Sequence, residues 1–176
     1  MQCKAPMNAI WEMFGTAGML CFLGLAGHKP LRGGLEISWG IELHKNELYG
    51  PAIANSYALE SEVAQYPRIV VGEYAVGYLN AAANSEPTDK VELYNKRLAE
   101  HCLQMLTRDV DGYQIIDYLG QAFTDSYTKG CNKDLFDKAY RFALSQLDEF
   151  SSKRNSKLAA RYNWLLSYME AKSEIH

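Results

Sequence analysis

The sequence predicts an α+β domain: a small, mainly antiparallel sheet with helices on one face, and further helices at the C-terminus. Three observations predict it. Apolar residues recur at helical spacing in residues 7–27 and again after Thr88; residues 31–39 alternate with period two; and Gly-Pro, Tyr-Pro and Asp-Gly breaks separate the two kinds of pattern. A chain of 176 residues that is 48% hydrophobic and 22% charged supports one core and is short for two domains. Residues 1–120 carry the sheet, and 121–176 are a helical extension of the same domain.

A net charge of −3, with no local basic patch, gives no electrostatic support for nucleic acid or an anionic membrane as partner. Cys3, Cys21, Cys102 and Cys131 are widely spaced and form no C-x-x-C pair. They read as reduced packing thiols of a cytoplasmic protein, not as a disulfide framework or a zinc site. His28, His44, His101 and His176 are equally scattered and read as surface or helix-end residues. No metal site is expected in this chain.

Residues 7–27 carry one charge, Glu12. A signal peptide wants a basic start, which Lys4 barely supplies, and no acid near the beginning of its apolar run. A membrane helix needs about 20 consecutive apolar residues, and small and polar residues interrupt this run. Ile10, Phe14, Ala17, Cys21 and Leu25 instead make one packing face, which predicts a buried helix of a soluble domain. His28-Lys29-Pro30 ends it.

Leu31, Gly33, Leu35, Ile37 and Trp39 then alternate with Arg32, Gly34, Glu36 and Ser38, which predicts a strand covered on one face and open on the other. Gly33 and Gly34 weaken a strand, so they mark either a bulge or the close approach of a ligand or another backbone. Ile41 to His44 reads as a second strand returning after Gly40, and Lys45-Asn46-Glu47 as a polar loop. Gly50-Pro51 opens a helix, with proline at the first helical position. Ala52, Ser56, Leu59 and Val63 line its packed side, while Asn55 and Glu62 face outward. Glu60 lies beside Tyr57 on the flank, and a pairing with Arg32 or Arg68 would satisfy it. Tyr66-Pro67 stops the helix, and Arg68 to Val71 is a β-branched strand.

Residues 81–87 read as a loop, followed by a helix with the stripe Val91, Tyr94, Leu98, Cys102 and Met105. Asp109-Val110-Asp111-Gly112 lacks the remaining ligands of a calcium loop and reads as a turn into a strand from Tyr113 to Leu119. Two amphipathic helices close the chain, lined by Leu135, Ala139, Phe142 and Leu147, then by Leu158, Tyr162, Leu165 and Met169. They either cover the sheet or extend a dimer contact.

Arg32-Gly33-Gly34-Leu35, Tyr49-Gly50-Pro51-Ala52, Ser56-Tyr57 with Leu59-Glu60, Tyr66-Pro67-Arg68-Ile69 and Asp111-Gly112 together carry a resemblance. The combination resembles the second half of the class III nucleotide cyclase fold, in the divergent bacterial branch that includes the pyrimidine cyclases of Pycsar anti-phage defence. It covers roughly residues 7–120 and implies a ferredoxin-like core. It further implies a nucleotide site drawn from Arg32, Gly33, Gly34, Glu36, Tyr49 and Gly50, with Tyr57, Glu60 and Arg68 as structural motif residues.

The sequence departs from that family where the chemistry is done. Two metal-binding aspartates of such cyclases belong to strands that would precede residue 7, and neither strand is present. Ala54 and Ala58 stand where better-known cyclases carry an asparagine and an arginine, and Ser38 stands where many relatives have glycine. Attack of a 3′-oxygen on an α-phosphate needs metal ions to neutralise developing charge, and hard divalent ions need clustered carboxylates. Glu36 and Glu42 could approach one another on adjacent strands as a substitute pair, but their spacing does not favour metal over a solvated surface. The expectation is the C-terminal part of a cyclase-related domain, inactive as this chain. Mg or Mn and a nucleoside triphosphate would belong to a complete relative. The alternative is a non-catalytic nucleotide-binding or dimerising module, a homodimer or one whose partner supplies the missing half.

Overall fold

The computed structural model describes residues 6–45, 47–129 and 132–175. Cys3, Lys4, Asn46, Cys131 and His176 lie outside them. The chain forms α1 (Met7–Ala26), β1 (Gly33–Leu35), β2 (Ile41–His44), β3 (Glu47–Tyr49) and α2 (Pro51–Ala58), which runs on as a π-helical turn, Leu59–Val63. There follow β4 (Ile69–Val71), α3 (Glu73–Ala83), α4 (Lys90–Gln104), β5 (Leu106–Arg108) and β6 (Gln114–Ile116). A short α5 (Gln121–Phe123) continues into a second π turn, Thr124–Thr128, before α6 (Asn132–Ser152) and α7 (Ser156–Glu170).

The α+β class is as the sequence predicts. Four strands form a mixed sheet in the order β1-β4-β6-β5, with β2-β3 as a separate two-stranded sheet. β1 runs parallel to β4, and the β4–β6 and β5–β6 pairs are antiparallel. The long helices share one core. Phe14, Cys21, Phe22 and Leu25 of α1 meet Leu79 of α3, Cys102 of α4, Phe142 of α6 and Leu165 of α7 over Leu35, Ile69, Val71 and Ile116 of the sheet. α1 has the length and composition of a membrane span, but Ile10, Phe14, Cys21 and Leu25 pack inside this core, with Ala17 partly buried against it.

The second sheet face is not bare, which corrects the open face inferred from alternation. Val70 and Ile115 point to that side and pack with Ala64, Leu59 and Val63 of the π turn and its exit. The strand expected over residues 31–39 shortens to three residues. Its partner β4 offers only Ile69 to Val71, and the Ile37 N–H donates to its neighbour Glu36 Oε1 at 2.8 Å instead of joining a ladder. Leu31 and Trp39 are consequently exposed. Ile41–His44 is a strand, but it pairs with Glu47–Tyr49 and not with the first strand, so Glu47 belongs to a strand and Glu42 faces Leu48 across the hairpin. Residues 81–83 are the last turn of α3, not a loop. Val91 and Tyr94 are exposed, so the buried stripe of α4 begins at Leu98.

Candidate functional site

The residues singled out by the sequence lie in the unit β1, β2-β3, α2, β4. Proline at the first position of α2 loses no hydrogen bond, and Gly50 before it adopts φ 138°, a conformation side chains oppose. A Cβ on Gly50 would also stand 2.6 Å from the Trp39 carbonyl oxygen, so this glycine closes the root of the β2-β3 hairpin onto the start of α2. Gly34 has a different reason. A Cβ there would run into the Ser56 carbonyl oxygen and stand 2.6 Å from Leu59 Cβ and 3.0 Å from Glu60 N. Of the alternatives left open for the glycine pair, Gly34 marks the close approach of another backbone: α2 lies directly on β1.

Arg32 and Glu60 seal that contact. Arg32 Nε is 2.6 Å from Glu60 Oε1, which settles the choice between Arg32 and Arg68 as partner of Glu60. Arg68 is taken elsewhere. Its guanidinium lies buried at the start of β4, donating to Asp109, to Asp111 Oδ2 at 2.5 Å and to the Val63 carbonyl at 2.7 Å. Tyr66 donates its hydroxyl to the same Asp109 carboxylate, and the guanidinium sits 4.7 Å from the centre of the Tyr66 ring. Burial works against the Arg68 charge, but the hydrogen bonds it donates to Asp111 and Asp109 outweigh it and hold its pKa above the ordinary value. Burial likewise opposes the Asp111 charge, and the Arg68 hydrogen bond overcomes it, leaving that carboxyl below its usual range. For Tyr66, burial and then the Asp109 hydrogen bond push the phenol up, so it stays protonated and donating. The turn at Asp109–Gly112, which the sequence gives as a turn and not a calcium loop, thus carries the two acids that neutralise Arg68. Sequence reasoning missed their role; the available signal was a cation entering a β-branched strand, which must find acids to be buried.

Glu36 is also committed. Its Oε1 accepts from the Ile37 N–H at 2.8 Å and the Ala75 N–H at 2.7 Å, so it caps the first turn of α3, where unpaired N–H groups favour an anion. It borders a cleft of about 330 Å³ shared with Asn55, Glu62, Glu73, Tyr74 and Tyr113. Of the six proposed nucleotide-site residues, Gly33 and Gly34 lie against Ile69 and α2, Glu36 serves α3 and Gly50 serves the hairpin. Arg32 and Tyr49 keep exposed side chains, Arg32 paired with Glu60 and Tyr49 donating its hydroxyl to Glu47 Oε2 at 3.3 Å. Tyr57 is 69% exposed on α2. A larger cleft of about 600 Å³, bordered by Asn8, Tyr78, Ser85, Glu92 and Lys96, includes none of these residues.

Among the described residues no three of His, Cys, Asp and Glu converge on a point; Glu36 follows the end of β1, while Glu42 lies in β2 of the separate hairpin. Cys21 and Cys102 are free and buried, and burial pushes both thiols up to about 12, which makes them poor ligands and nucleophiles. What the unit offers outward is its hairpin. Every residue of β2 and of β3 is exposed. No family model matches the chain, and no curated protein or solved structure matches it.

Proposed function

We propose that this chain is the C-terminal part of a nucleotide cyclase-related domain. Complete relatives would convert a nucleoside triphosphate to a cyclic nucleotide and pyrophosphate, and this chain alone does not catalyse the step. One observation supports the reading: the segments that carry the resemblance fold as one continuous unit. Arg32 to Leu35 enters β1, Tyr49 to Ala52 turns the hairpin into α2, Ser56 to Glu60 lies on β1, and Tyr66 to Ile69 leads into the parallel β4. On this reading the aspartates that would hold Mg or Mn come from residues outside this chain. Nucleotide contact falls to the exposed side chains of Arg32, which would share its guanidinium with Glu60, and Tyr49, whose hydroxyl donates to Glu47 Oε2 at 3.3 Å. The free thiols Cys21 and Cys102 suit a cytoplasmic setting. The test is incubation of the purified chain with each nucleoside triphosphate and Mg or Mn, followed by chromatography. No cyclic product is expected, and any cyclic product would overturn the assignment of an inactive half.

The exposed hairpin favours a second reading, a non-catalytic module that works by association. It needs no nucleotide chemistry.

A further inference from the structure

We draw no further inference here: the strongest candidate, the cleft of about 330 Å³ between the π turn of α2, the start of α3 and Tyr113, gathers Glu36, Glu62 and Glu73 beside the Tyr74 ring, but Glu36 caps α3 and Glu73 lies in its first turn, so these acids serve a helix N-terminus and nothing else among the described residues of the cleft points to a ligand.

Discussion

Arg68 is the most deeply buried charge of the described residues, at 1% exposure, and it shows how one residue ties three elements together. Its guanidinium joins the exit of the π turn through Val63, the entry to β4, and the β5-β6 turn through Asp109 and Asp111. Removing one partner of such a cluster leaves the other charge buried and uncompensated, which costs far more than the pair contributes net. The Arg68 hydrogen bond keeps Asp111 ionised below its ordinary range, so the unfolded chain binds a proton there before the folded chain does. The resulting stabilisation is complete above the unfolded carboxylate pKa, about 4, and is lost as pH falls through the lower folded value. Urea unfolding of wild type and Asp111→Asn from about pH 6 down to pH 3 should show the stability gap between them narrowing toward acid; a gap independent of pH would remove this electrostatic role. At this scale the sequence revealed Arg68 and the Asp-x-Asp-Gly turn separately. They are 41 and 43 residues apart, and no local pattern links a strand residue to a turn that distant.

The element that decides the architecture is α2 with its π turn. None of the α2 residues is buried, so packing of a broad apolar face does not place it. The missing side chain of Gly34 lets its backbone reach β1, the Arg32–Glu60 pair closes the flank, and Leu59, Val63 and Ala64 meet Val70 and Ile115. The π turn inserts a residue into the helical repeat where the chain must leave α2 for Tyr66 and Arg68. Gly33 and Gly34 therefore differ despite being neighbours. A methyl at Gly33 meets the end of the Ile69 side chain, Cδ1, at 2.9 Å, which can turn aside. A methyl at Gly34 meets the backbone of Ser56 and Glu60, which cannot move without lifting α2. Gly34→Ala should cost about 1–3 kcal/mol by overpacking and Gly33→Ala less, as measured by chemical denaturation; equal costs would mean that α2 does not rest on β1. The start of α2, its end before Tyr66-Pro67 and strand β4 were legible from proline, glycine and β-branched residues. α3 was not legible as a helix, because its end, Ala81 to Ala83, runs into a polar loop and its capping carboxylate, Glu36, lies far back in sequence.

For the whole molecule, the C-terminal helices belong to the main core. Ala139, Phe142, Tyr162, Leu165 and Met169 of α6 and α7 are buried with Phe14 and Leu25 of α1. Tyr168 donates to Asp117 Oδ1 at 2.8 Å and accepts from the Leu119 N–H at 3.1 Å, while Lys172 Nζ lies 2.6 Å from Asp117 Oδ2, fastening the end of α7 beyond β6. A chain ended after Thr128 should lose its cooperative thermal transition, followed by circular dichroism, because one face of α1 would be stripped of cover; an unchanged transition would make α6 and α7 a separable appendage. The amphipathic stripes showed that these helices bury one side. They did not show against what, and the structure answers that α6 packs on α1 and α7 on α6 within one shared core.

By itself, the sequence determined the α+β class, the buried face of α1, the glycine and proline junctions and the two C-terminal helices, because these follow from local periodicity and backbone restrictions. Only the tertiary structure decided that Arg68 belongs to Asp109 and Asp111, that Glu36 caps α3, that the second sheet face is covered, and that β2-β3 leaves the sheet as an exposed arm. Each of these depends on groups distant in sequence meeting at fixed distances. Burial then requires a charge to find its partner, and backbone contact requires a glycine, wherever the chain brings them together.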